Sequence, residues 1–228
     1  MKSKTAILLH SYGAKEPNWD YVVWGEAPDK PGRIPTAIAA LFEEEADLLL
    51  LLGSLIFKDG KSTGRLMKEL LDERFDKLKD FTILKSLENV SIGQIREKVG
   101  KVFKLVEDLE QNTMTTEELQ VAKNFLEKQG GYYKLICVSS PDHVARIYRE
   151  AFDVFKDTPI VANLEIRGSA TLYGPKTEED KEKYGIKDVL IFEIPLSRNF
   201  PDLFAKILKA SKAAGTIKAV NEFLDKYK

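Results

Sequence analysis

The stretch Lys134-Leu-Ile-Cys-Val-Ser-Ser-Pro-Asp-His-Val-Ala-Arg146 decides the fold. Its apolar run ends at Ser139-Ser140 and predicts a buried strand, while Pro141 opens a run of apolar residues at helical spacing. Proline is favoured at the first position of a helix, and serine suits the capping position before it. The chain is therefore expected to pass from a strand directly into a helix, as it does in crossover units of parallel sheets.

The same junction concentrates polar groups. His143 falls in the first turn of the predicted helix, and Arg146 follows three residues later on the same face. The free backbone N–H groups of the first turn add to these side chains. Such a place suits an anion, most often a phosphate or a carboxylate.

Short apolar runs alternate with longer helical patterns along the rest of the chain. The runs predict strands at 5–10, 47–52, 81–84, 135–138, 160–166 and 189–194. The helical patterns cover 34–45, 63–74, 92–109, 116–129, 141–155, 201–214 and 217–227. Unalternating apolar strands separated by helices predict an α/β fold, with a doubly wound, mainly parallel sheet and helices on both faces.

The 228 residues predict one domain, 1–228, with two long loops. The segment 11–32 is rich in aromatic residues, Pro and Gly, and the segment 168–185 is polar and charged. Loops of this length in a compact domain are typically lids or binding loops.

Composition narrows the classes of partner. Basic and acidic residues number 35 and 36, a net charge of −1, which argues against nucleic acid. No apolar run reaches the length of a membrane span, so no membrane partner and a cytoplasmic location are expected. Cys137, the only cysteine, falls in a predicted strand and is interpreted as an inert core thiol. One cysteine and two histidines predict no common zinc site, and neither a cofactor nor an oligomeric state is indicated.

In an open parallel sheet, ligands bind beyond the carboxyl ends of the strands. Both histidines, His10 and His143, fall at such ends. They are predicted to be catalytic together with Glu88, which follows the predicted third strand and could instead cap the helix after it. Ser140 could likewise be no more than a helix cap. The residues predicted to bind ligand are Arg33, Gly53, Ser54, Ser62, Ser91, Ser139, Ser140 and Arg146.

Four blocks resemble the YdcF/SanA/ElyC family. Residues 139–146, Ser-Ser-Pro-Asp-His-Val-Ala-Arg, are similar to its T-S-x-x-H-x-x-R block, and Glu88-Asn-Val-Ser91 is similar to its E-x-x-S block. Leu51-Leu-Gly53-Ser54, with Gly60-Lys-Ser62-Thr63-Gly64 and Met67, resembles a strand end and helix start of the family. Arg33, at the opening of the first predicted helix, matches an arginine usually found at that position in the family. The resemblance covers 5–165 and leaves 166–228 as a C-terminal extension. The resemblance implies a Rossmann-like fold and places the chain with the family members that lack a membrane anchor. It implies no particular reaction, because none is settled for the family.

Two functions fit these residues. In the first, an enzyme acts on a phosphate- or nucleotide-bearing small molecule: arginines hold the anion, His143 or His10 transfers a proton, and Glu88 orients a histidine or a ligand hydroxyl. In the second, a module without catalysis binds a nucleotide-like ligand such as S-adenosylmethionine, which the resemblance implies for one member of the family. A scaffold whose pocket has decayed is the third alternative.

Overall fold

The computed structural model describes residues 3–16, 18–53, 57–107 and 115–171. In chain order the strands and α-helices are β1 (Lys4–Leu9), α1 (Trp19–Val23), β2 (Gly25–Glu26), β3 (Lys30–Pro31), α2 (Arg33–Glu43), β4 (Leu48–Leu52), β5 (Phe57–Lys58), β6 (Lys61–Ser62), α3 (Thr63–Arg74), α4 (Ile92–Val102), β7 (Phe103–Val106), α5 (Thr115–Gln129), β8 (Tyr132–Ser139), α6 (Pro141–Phe155) and β9 (Leu164–Gly168). Short 3-10 helices lie at Phe75–Asp80, Lys85–Leu87 and Pro159–Asn163. The strand and helices predicted beyond residue 171 lie outside the described residues.

The centre of the fold is a five-stranded sheet in the order β7-β4-β1-β8-β9, in which every pairing is parallel. Chain order runs outward from β1 through β4 to β7 on one side, and through β8 to β9 on the other. The direction of winding therefore reverses between β1 and β8, and a reversal of this kind is where such sheets bind ligands. The predicted doubly wound α/β class is confirmed.

Helices cover both faces of the sheet. On one face, Ile7, Leu9 and Val138 belong to a core cluster with residues of α2, α3 and α4. On the other, Leu8 and Cys137 belong to a cluster with residues of α5 and α6. Each central strand is buried on both sides, which explains why β4 consists of five consecutive leucines, all of them buried.

The predicted third strand at 81–84 is wrong. Those residues form turns between two 3-10 helices, with Phe81 buried and Ile83 about half exposed at 52%. The strand that joins β4 at this edge is β7, which lies inside the predicted helix 92–109. Helix α4 ends at Val102, and Phe103 adopts extended backbone. Pairing with β4 overrides the helical pattern at 103–106.

Two smaller predictions also change. The predicted strand 160–166 begins as the 3-10 helix Pro159–Asn163 and becomes strand only at Leu164. The predicted loop 11–32 contains helix α1 and the antiparallel pair β2–β3. Thr171, at the end of the described residues, donates to the carbonyl of Val22, so the chain after β9 contacts this segment.

Within the described part of the chain, no helix is both long enough and apolar enough to cross a membrane.

Candidate functional site

The carboxyl end of β1 carries a histidine–carboxylate pair. His10 follows the strand directly, and its Nδ1 lies 2.7 Å from Oε2 of Glu118, in the first turn of α5. The other oxygen, Oε1, accepts the backbone N–H of Ser11 at 3.1 Å. Both side chains are nearly fully buried. A carboxylate fixed in this way favours the tautomer with the proton on Nδ1, which leaves Nε2 as the basic nitrogen.

Two buried polar atoms at this end of the sheet, one of them on His10 itself, have no hydrogen-bond partner among the described residues. Nε2 of His10 and Oγ of Ser139 accept or donate no hydrogen bond among the described residues. Buried polar groups are almost always hydrogen-bonded, so an orphan atom calls for an explanation. Here the two orphans flank the point at which the sheet reverses its winding.

Arg33 ties the ends of β1 and β8 together. The side chain is fully buried at the start of α2. Its Nη1 donates to the carbonyl of Ser11 at 2.6 Å and to that of His10 at 3.3 Å. Its Nε and Nη2 both donate to Oγ of Ser140, the former at 3.2 Å. The guanidinium also lies 4.9 Å from the centre of the Tyr12 ring. These bonds make Arg33 a positioning residue for the segment that carries His10.

Ser140 occupies the capping position of α6 without capping it. Its backbone is extended, as a cap requires, but its hydroxyl makes no hydrogen bond to the first turn. The oxygen accepts from Arg33 instead. The first turn of α6 therefore keeps its positive end without the usual side-chain cap, and anions bind at such ends.

His143 lies in that first turn, in a positive field. The pKa of its imidazole is lowered from 6.5 to about 3, mainly by burial and in addition by the charges of Arg33 and Arg146. A charge on His10 acts in the same direction. His143 is consequently neutral near pH 7 and offers one N–H donor and one nitrogen acceptor. Four residues predicted from the sequence therefore lie close enough together for their charges to interact: Arg33, His10, His143 and Arg146.

A second polar group lies at the ends of β4 and β7. Ser62 caps α3 by accepting the N–H of Arg65 at 3.1 Å, and it donates to Oε1 of Glu107 at 2.5 Å. Arg65 binds the other oxygen of Glu107. The Ser62 hydrogen bond is the main reason why the pKa of Glu107 is lowered. Gly53, at the end of β4, lies against Ser62 and Glu107, where a Cβ would come within 3.1 Å of each.

Glu88 and Ser91 take other positions. Because 81–84 is not a strand, neither residue follows a strand end. Glu88 is exposed and lies 3.8 Å from Lys85, and Ser91 caps α4 in a reciprocal pair of hydrogen bonds with Gln94. Among the described contacts, neither reaches His10 or His143. Ser54 lies outside the described residues.

Cys137 is fully buried, and burial raises the pKa of its thiol. This confirms the prediction of a core thiol.

The structure adds Glu118 and Glu107, which the sequence reasoning missed. Glu118 stands in a helix that reads as an ordinary amphipathic surface helix, and only its burial among apolar neighbours distinguishes it. A buried carboxylate needs a partner, and that requirement becomes visible only with coordinates. Glu107 was hidden by the predicted helix 92–109, because the end of β7 was not recognised.

Comparisons with protein-family models, with curated proteins and with solved structures gave no match to this chain.

Proposed function

We propose that this protein is an enzyme that acts on a phosphate- or nucleotide-bearing small molecule, with His10 as the general base. The observation that carries the proposal is the 2.7 Å contact between His10 Nδ1 and Glu118, together with a buried Nε2 that has no partner among the described residues. In this arrangement Glu118 takes the orienting role that the sequence suggested for Glu88.

The surroundings favour an anionic substrate. Arg33 and Arg146 give the site a positive potential, and the positive end of the α6 dipole, which the Ser140 side chain does not cap, adds to it. Neutral His143 would donate to or accept from the substrate, because its low pKa makes a protonated role unsuitable near pH 7. The hydroxyl hydrogen of Ser140 would point away from Arg33, since both Arg33 donors occupy the oxygen.

We propose a relationship to the YdcF/SanA/ElyC family, supported by the position of Ser139, Ser140, His143 and Arg146 at one strand–helix junction. A cytoplasmic setting and the exclusion of nucleic acid remain predictions from the sequence.

The test is a turnover assay with p-nitrophenyl phosphate, bis(p-nitrophenyl) phosphate and a panel of nucleotides. The wild type is compared with His10→Asn, which keeps a polar side chain but removes the base. We expect the variant to lose between 10²- and 10⁴-fold in turnover, the usual contribution of general base catalysis. Ligand binding in a thermal-shift screen, with no turnover by the wild type, would instead support a binding module.

A further inference from the structure

His10 and Ser139 are neighbours across two paired strands. The register pairs Leu9 with Val138, and the N–H of His10 donates to the carbonyl of Val138 at 3.0 Å, which continues the pairing by one residue. Neighbouring strands lie about 4.8 Å apart. The backbones of His10 and Ser139 are therefore side by side.

The two side chains also share a face of the sheet. Leu9 and Val138 belong to the core cluster on the α2 side, and Leu8 and Cys137 to the cluster on the α5 side. Side chains alternate along a strand, so the next residues project to the α5 side. The contact of His10 with Glu118, a residue of α5, agrees with this.

The two adjacent serines at this junction differ in what they can do. Ser140 Oγ accepts two donors from Arg33, which engages its lone pairs and makes it a poor nucleophile. Ser139 is equally buried, but its Oγ has no partner among the described residues. Its lone pairs are available, and the basic nitrogen of a neighbouring imidazole is unpartnered as well.

We propose that Ser139 is a nucleophile activated by the Glu118–His10 pair, so that the reaction passes through a covalent phosphoserine-type intermediate. This inference rests on the proposed function and deepens it. Catalytic hydrogen bonds are often long in the absence of substrate, and a serine beside an oriented histidine is the arrangement that nucleophilic catalysis needs.

The proposed reaction is a double displacement at phosphorus. Oγ of Ser139 bonds to the phosphorus, its proton passes to Nε2 of His10, and the bond to the leaving oxygen breaks with that oxygen taking the electron pair. His10 then gives the proton to the leaving group. In the second half, water attacks the phosphorus and its proton passes to Nε2, the Oγ–phosphorus bond breaks with Oγ taking the electron pair, and His10 returns the proton to Oγ, which regenerates Ser139 and the neutral imidazole. Glu118 stabilises the imidazolium in both halves.

The test uses diisopropyl fluorophosphate, which transfers a phosphoryl group to activated serines and releases fluoride. The intact protein is treated, and labelled peptides are mapped by mass spectrometry. We expect one label on Ser139, its loss in Ser139→Ala, and at least a 100-fold slower labelling in His10→Asn. Ser3→Ala, which changes an exposed serine, should label like the wild type. Thermal unfolding of each variant checks that it is folded.

Turnover of p-nitrophenyl phosphate, followed in parallel, separates this inference from the proposed function. Turnover that depends on His10 but survives Ser139→Ala, with no label on Ser139, overturns the nucleophile and leaves the enzyme proposal standing. Labelling of Ser139 that depends on His10 supports the nucleophile, whether or not this ester is a substrate. Absence of both labelling and turnover overturns both proposals.

Discussion

The imidazole of His10 and the carboxylate of Glu118 form a buried 2.7 Å contact across 108 residues of chain. The contact joins the end of the central strand β1 to the first turn of α5. It gives the histidine a fixed orientation at the point where the sheet reverses its winding. The function proposed for this protein depends on that orientation.

Glu118→Gln is expected to reduce turnover while it leaves the fold intact. An amide at this position can present either oxygen or nitrogen to Nδ1, so the tautomer with Nε2 as base is no longer enforced. We expect a loss of about 10²- to 10⁴-fold in kcat for whichever phosphoester probe the wild type hydrolyses. Glu127→Gln, which changes an exposed carboxylate on the same helix, is the matched control. Equal kcat values for the two variants would contradict the role of Glu118.

Because His143 is held neutral, we expect the free energy of unfolding to fall in acid. The pKa of its imidazole is about 3 in the folded protein, compared with the ordinary value of 6.5 that applies to the unfolded chain. Between these values the unfolded chain binds a proton that the folded chain does not. Its contribution is therefore fully present above about pH 6.5 and is lost as the pH falls toward 3, by up to about 1.4 kcal/mol per pH unit.

The measurement is the free energy of unfolding in urea at about pH 7 and about pH 5. We expect the wild type to lose about 2 kcal/mol more than His143→Gln over this interval. The glutamine variant keeps a polar side chain but does not titrate. An identical pH dependence in the two proteins would show that His143 is not held neutral by its surroundings.

Arg33→Met is expected to destabilise the protein strongly. The substitution removes the donors to the carbonyls of His10 and Ser11 and to the hydroxyl of Ser140. Each buried acceptor left unsatisfied costs about 1–3 kcal/mol, so we expect a loss of at least about 3 kcal/mol in urea unfolding. Arg65→Met, at a side chain that is 48% exposed, should cost less than about 1 kcal/mol. Similar losses in the two variants would refute the clamping role of Arg33.

Gly64→Ala and Gly100→Ala should change stability in opposite directions, although both glycines lie in helices. A Cβ on Gly64 would come within 2.9 Å of the backbone of Gly53 and of the Leu105 side chain. Backbone must shift to admit it, at a cost of about 1–3 kcal/mol. Gly100 has no atom within 4 Å of the added Cβ and should gain about 0.5–1 kcal/mol. Thermal unfolding of the pair checks both signs, and stabilisation by Gly64→Ala would contradict the close packing of α3 on β4.

Local pattern was sufficient for most of the sheet and for one half of the site. Pro141 fixed the start of α6, which the structure places at Pro141–Phe155, as predicted. Continuous apolar runs predicted β1, β4 and β8, because strands buried on two faces cannot alternate. Because the carboxyl ends of parallel strands lie at the same edge of a sheet, the sequence could also predict that His10 and His143 lie at one edge.

The sequence alone determined that the chain winds strands and helices alternately, and that both histidines stand where strands end. Only the tertiary structure decided that Glu118 is the carboxylate that binds His10, and that Ser140 rather than Ser139 accepts hydrogen bonds from Arg33. It also decided that β7, rather than 81–84, pairs with β4 in the sheet. The reason is physical. Periodicity and turn residues are local, whereas burial of a charge and pairing along a strand edge depend on segments about 100 residues apart, which come together only when the core forms.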